Sequence, residues 1–153
     1  MLDSQVVPAT LEHAIAMAPR MREADRAECW ALARLTPLEA LEVSVQTAVY
    51  AWTWLVDGEP ACMFGVGARS MIGDTGTPWL LSTDLVAKYP MPFLRGYRTY
   101  LQKMRAIYPH LSNVVDARYT TCVRWLGWLG FKVYDPVPMG PDGVLFHRFE
   151  IGE

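Results

Sequence analysis

The chain has 153 residues, of which 52% are hydrophobic, and its 14 lysines and arginines against 16 acids leave a net charge of -2. That length lets a single core bury roughly two-thirds of the unfolded surface, so residues 1–153 are expected to form one domain, and the near-neutral balance gives no electrostatic ground for nucleic acid binding. Cys29, Cys62 and Cys122 are scattered, without a CxxC or a Cys/His cluster, which argues against a disulfide framework and a structural zinc site and fits a reducing compartment.

The first residues lack a basic region followed by an apolar core, and no stretch of 18 apolar residues occurs, so a soluble, cytoplasmic protein without stable membrane insertion is expected. Gln5 to Val7, ending at Pro8, reads as an edge strand, because proline donates nothing to a ladder. Thr10 reads as a helix cap, with Leu11, Ala14, Ile15 and Ala18 on one helical face and Pro19 as the stop. A second helix is expected over 22–34. Thr36, Pro37 and Glu39 combine a hydroxyl cap, a proline at the first helical position and a carboxylate reaching back, which starts a third helix running to about Gln46.

From Ala48 the hydrophobic period changes from 3.6 to two. VYAWTWLV, Asp57-Gly58 and EPACMFGVGA predict a hairpin with Tyr50, Trp52 and Trp54 on one face. A loop is expected over 69–77, and PWLLST as the next strand. A long helix then starts between Pro90 and Phe93, with Leu94, Tyr97, Leu101, Met104 and Tyr108 as its apolar stripe and Arg95, Arg98, Gln102 and Arg105 on another face. LSNVVDA predicts a strand. In YTTCVRWLGWLGFKVY the residues Tyr119, Cys122, Val123, Leu126 and Leu129 keep helical spacing, Gly130 closes the helix in a left-handed conformation, and a strand follows. DPVPMGPDG reads as a loop and VLFHRFEI as the last strand. The class is α/β (α+β), a single mixed sheet flanked by helices.

This order of elements, with the LGF at Leu129, Gly130 and Phe131, resembles the GCN5-related N-acetyltransferase (GNAT) fold. PWLLSTD, the basic and aromatic long helix, RWLGWLGFKV and LFHRFEI also resemble the internal virion protein A family of short-tailed phages. The resemblance implies acetyl-CoA as the possible cofactor, its pyrophosphate held by backbone N–H groups at the start of the long helix, where donors lack intrahelical partners and the dipole is positive. Leu81, Ser82, Thr83, Arg95, Gly96 and Tyr119 are then the cofactor-binding candidates. Two departures bear on activity. Where the family carries Arg/Gln-x-x-Gly-x-Gly/Ala, this chain has DLVAKYPMPFLRGY, with Pro90 and Pro92 lacking N–H groups. Where the family often places an acid tyrosine four residues before the LGF glycine, this chain has Leu126, and Tyr119 stands at the family's usual asparagine.

Tyr119, His147 and Asp84 are the catalytic candidates, each with a plainer role open to it: core aromatic, structural imidazole and helix cap. His13, His110, Cys122 and Glu59 are expected to be structural or solvated. Trp125 and Trp128 fall beside the Leu126 stripe and are expected to meet another element or a second copy of the chain. The resemblance therefore implies a catalytically degenerate GNAT-fold protein of the phage type, in virion assembly or inside the virion. It would contact phage or host proteins, in the host cytoplasm during infection or in the particle. An acetyl-CoA-dependent N-acyltransferase with a non-standard pyrophosphate loop is the alternative.

Overall fold

The computed structural model describes residues 2–68 and 74–152. β1 (Ser4–Pro8) is an edge strand paired antiparallel with β2 (Ala48–Val56). Between them lie α1 (Leu11–Met17), α2 (Glu23–Ala33) and α3 (Pro37–Thr47). α1 is capped by Thr10 and ends at Met17, ahead of Pro19 as expected; the chain then tightens into a 3-10 turn over Ala18–Arg20, where proline sits at a first-turn position and its missing donor costs nothing. α2 ends at Arg34, which takes a left-handed conformation (φ 56°) instead of continuing the helix. Thr36 and Glu39 form the expected reciprocal capping box of α3.

β2 and β3 (Glu59–Ala68) form the expected hairpin around Asp57 and Gly58, both at positive φ. β4 (Thr75–Ser82) pairs antiparallel with β3. It begins three residues before the expected PWLLST, because the ladder with β3 extends to Ala68↔Gly76. The remainder of the expected 69–77 loop, Arg69 to Gly73, lies outside the described residues. The link after Thr83 is itself helical: α4 (Asp84–Lys88), capped by the Thr83 hydroxyl, precedes α5 (Pro90–Ile107).

β5 (His110–Asp116), α6 (Thr120–Leu129), β6 (Lys132–Val133), β7 (Val137–Met139) and β8 (Val144–Ile151) complete the chain. β7 lies inside the expected proline and glycine loop, since Val137 to Met139 find partners on β8. Gly130 ends α6 at φ 101°, as its place after Leu129 predicts. The sheet order is β1-β2-β3-β4-β5-β8-β6, with β7 also on β8.

Alternation along β3 divides the core. Cys62, Phe64 and Val66 face α5 and α6 with Phe93, Leu94, Tyr97, Leu101, Met104 and Leu126, while Met63 joins Ala14, Met17, Ala40, Leu41 and Leu81 under α1 and α3. Burial of a large side chain contributes roughly 1.5–3 kcal/mol, so this alternation pins the register of the central strands. In the middle of the sheet the ladder is sparsest at the junction of β4 and β5. That pair is parallel and, among the described residues, meets only at Thr75↔His110 and Gly76↔Leu111.

Candidate functional site

Beyond Gly76 and Leu111 the two strands separate. The Asn113 side-chain amide spans part of the gap, donating to the Pro78 carbonyl at 2.7 Å. Farther along, the N–H and C=O of Ser82 both turn away from β3: the N–H donates to Asp25 Oδ2 (3.1 Å) and the carbonyl accepts from the Arg22 N–H (2.9 Å). By the alternation of an antiparallel strand, Leu80 turns its own N–H and C=O the same way, into the gap.

A cavity of about 200 Å³ occupies the opening. Leu80 and Leu81 of β4, Val114 and Val115 of β5, and Phe93, Tyr97, Trp125, Leu126 and Leu129 of α5 and α6 supply mostly apolar walls. Glu28, Cys29 and Leu32 of α2, with Val43 of α3, line its other end.

The mouth of the split is held by two acids one turn apart on α2. Asp25 accepts the Ser82 N–H at the end of β4, and Glu28 accepts the Asp116 N–H at the end of β5 (2.9 Å). Carboxylates thus take the place of the ladder that the strands lack. Asp25 is 2% exposed and also accepts from the Ser82 hydroxyl (2.6 Å) and the Tyr119 hydroxyl (3.4 Å). Burial pushes its carboxyl up to about 6, against the lowering effect of the Ser82 hydrogen bonds and the nearby Arg22 charge. Burial likewise lifts Glu28 to about 8; the Asp116 N–H opposes the shift, and the charges of Asp25 and Asp116 add to it. Asp116 is pushed up by its burial, but hydrogen bonds from Arg118 outweigh this and hold its carboxyl below the usual range.

Tyr119, at the start of α6, belongs to this network and not to the cavity wall. Its hydroxyl accepts from Arg22 Nη1 at 3.0 Å, the same guanidinium lies 5.3 Å from its ring centroid, and burial raises its pKa. Leu126 lines the cavity, so the position that carries the acid tyrosine in the family pattern presents only carbon here. Leu81 is buried between the cavity and the α1–α3 layer. Thr83 has both its N–H and its hydroxyl donated to the Ala61 carbonyl. The Ser82 and Thr83 donors are therefore occupied within the protein.

Asp84 is the exposed first residue of α4, with Arg22 Nε 3.8 Å away. His147 shares a 2.7 Å hydrogen bond with the Tyr134 carbonyl, apart from the gap. His110 contacts Thr75 and Glu150, and Glu59 pairs with Arg20 at 2.6 Å. Cys29 lines the cavity with its thiol pushed up to about 12 by burial, and Cys122 is shifted in the same direction, so both remain protonated thiols. Among the described residues no cluster of His, Cys, Asp and Glu is arranged to hold a metal, and no helix is long and apolar enough to cross a membrane.

The start of α5 was the expected phosphate cradle. Pro90 and Pro92 have no N–H, and the Phe93 N–H is bonded to the Tyr89 carbonyl. Met91 alone in that turn has a donor outside the helical ladder. Arg95 and Gly96 lie one turn farther on, exposed inside the helix, where Gly96 makes no loop and a methyl group would meet nothing.

Reading the residues in order missed Asp25 and Glu28. In EADRAECW they look like solvated acids of a helix start, and the one signal was their i, i+3 spacing beside the apolar Cys29 and Trp30.

No family model and no curated relative matches the sequence. Solved structures do match the fold. An N-acetyltransferase from Staphylococcus aureus Mu50 superposes with a TM-score of 0.74 at 12% identity, covering 98% of each chain. A GNAT superfamily phosphinothricin acetyltransferase from Sinorhizobium meliloti, solved with acetyl-CoA, gives 0.76 at 10% identity, over 97% of this chain and 88% of that one. The ribosomal-protein-S18-alanine N-acetyltransferase from Escherichia coli gives 0.65 at 12% identity, over 98% and 94%. The fold is that of the GNAT acetyltransferases.

Proposed function

We propose that this chain is a catalytically degenerate GNAT-fold protein that works through contacts with other proteins, in the phage-type role of virion assembly or internal virion component that its sequence resemblance implies. The observation that carries the reading is the start of α5, where two prolines and a helix-bonded N–H leave one donor in the turn meant for pyrophosphate. A diphosphate needs several converging N–H groups, and one donor on an exposed helix end does not replace them. Leu126 on the cavity wall supports the same reading, because a hydrocarbon has no proton for a leaving thiolate.

Trp128 supplies a contact surface. It is 41% exposed, with the Arg98 guanidinium 3.9 Å from its ring centroid, whereas Trp125 packs on Phe93 at 5.5 Å and lines the cavity. We assign the Trp128 side of α6 to a contact with a second copy or another virion protein.

The split between β4 and β5 favours a second reading, an acyl-CoA-dependent N-acyltransferase. An apolar slot beside Leu80 is suited to an extended amide-bearing arm. Thermal unfolding with millimolar acetyl-CoA separates the two. A ligand at 100 times its dissociation constant adds about 2.7 kcal/mol, or several degrees for a chain of this size. No change in Tm is expected; a rise of that order overturns the degenerate reading in favour of the enzyme.

A further inference from the structure

Two faces of the molecule carry charges that nothing in the fold answers. On α5 and α6 the exposed Arg95, Arg98, Lys103, Arg105 and Arg124 stand on helices that contain no aspartate or glutamate, and none of them pairs with an acid among the described residues. Met91, Arg95, Arg98 and Arg105 recur at four-, three- and seven-residue steps and so share one side of α5. The contact of Arg98 with Trp128 brings Arg124 and Trp128, four apart on α6, beside that side.

Across the sheet, α1 and α3 have the opposite character. They bury Ala14, Met17, Ala40 and Leu41 together, and turn outward the exposed Glu12 and Glu39 and the half-buried Glu42, with Leu11, Ile15 and Val43 exposed among them. Neither helix holds a lysine or arginine, and these acids form no ion pair among the described residues. The arginines of the intervening chain are already engaged: Arg20 with Glu59, Arg22 with Tyr119, Arg26 with the carbonyls of Met21 and Pro19, Arg34 with Asp142. The small net charge therefore hides a basic side and an acidic side, each with apolar side chains exposed beside its charges.

We propose that one copy of this chain docks its α5–α6 face on the α1–α3 face of the next, the cations against Glu12, Glu39 and Glu42, and Met91 and Trp128 against Leu11, Ile15 and Val43. Charge complementarity selects a second copy in this arrangement. A two-fold contact would lay the basic face, or the acidic one, on itself and set like charges against each other. A nucleic acid would answer the cations and leave the α1–α3 face unmatched. Because the two faces lie on opposite sides of the sheet, every contact leaves a free face at either end, so association continues into a ring or a filament. The inference rests on the reading of this chain as a contact protein; it names the partner of the Trp128 side and the surface that receives it.

The test is sedimentation velocity over a concentration series. The wild type should grow past the dimer at roughly 0.05 M salt and fall back toward monomer at about 0.5 M, where the charges are screened. Arg98→Ser with Arg124→Ser strips the basic face, and Glu12→Gln with Glu42→Gln strips the acidic one; these positions lie outside the core, and circular dichroism checks that both variants fold. Each alone should associate at least about tenfold more weakly than the wild type. Mixed in equal amounts, they bring one intact face each and should form a one-to-one dimer and nothing larger. A wild type that stays monomeric, one that stops at a dimer, or a mixture that remains monomeric while the wild type assembles overturns the proposal. A monomeric wild type that retards a short DNA duplex also overturns it, and gives the basic face to nucleic acid. Acetyl-CoA tests the underlying reading separately: a rise in Tm overturns degeneracy whether or not copies associate, and failure to associate leaves degeneracy standing.

Discussion

Asp25 and Glu28 are acids that the fold makes weaker, and the sign of that shift sets a pH dependence. The native state holds protons that the unfolded chain has already released, so stability falls as pH rises through the window from about 4 to 8. For Asp25, lifted from 3.8 to about 6, the loss is on the order of 3 kcal/mol at 1.36 kcal/mol per unit. Urea unfolding between pH 5 and pH 8.5 should show this decline in the wild type, and Asp25→Asn should flatten its lower part. An equal slope in the variant would assign the decline to other groups. Neither acid was legible as a structural device, because its partner lies 57 residues away for Asp25 and 88 away for Glu28. Leu126 and the prolines of α5 were legible at once, since what they lack is a property of the residue itself and needs no partner.

At the level of elements, local signals were read well and tertiary ones were not. Thr36 with Glu39, Asp57 with Gly58, and Gly130 act within three or four residues, and each stands where its chemistry places it. β7 was hidden because Val137-Pro138-Met139 becomes a strand only through β8. The turn that follows is clamped to α2. Gly140 sits at φ 74°, a Cβ there would fall 2.1 Å from the Ala31 carbonyl oxygen, and Arg34 pairs with Asp142 at 2.6 Å. Gly140→Ala must therefore push the β7–β8 turn off the end of α2. A loss of about 2 kcal/mol or more in denaturant unfolding is expected, as for a substitution that combines a positive-φ strain with a steric clash. Asp142→Ala, which removes one partly exposed ion pair, should cost less than about 1 kcal/mol.

For the whole molecule, the alternation of helices and strands was enough to place the fold, because each helix has an apolar stripe that only a sheet face can cover. It was not enough to show the assembly. If the Trp128 side of α6 carries a contact between copies, the wild type should elute from gel filtration as an oligomer and Trp128→Glu as a smaller species, with unchanged circular dichroism. An unaltered elution volume for the variant of an oligomeric wild type removes that interface.

The two rungs that join β4 to β5 have one more consequence. Everything on the β1–β4 side of that seam comes from one unbroken length of chain ending at Ser82, and every strand beyond it comes from another beginning at His110. The sheet is therefore two plates, each built from a contiguous length of chain, joined across the seam by the shared side-chain core under α5 and α6 more than by backbone. Amide hydrogen exchange is the measurement that reads this: the amides of β1–β4 and those of β5–β8 should fall into two protection classes, with the β4 and β5 amides along the seam exchanging faster than those of β3.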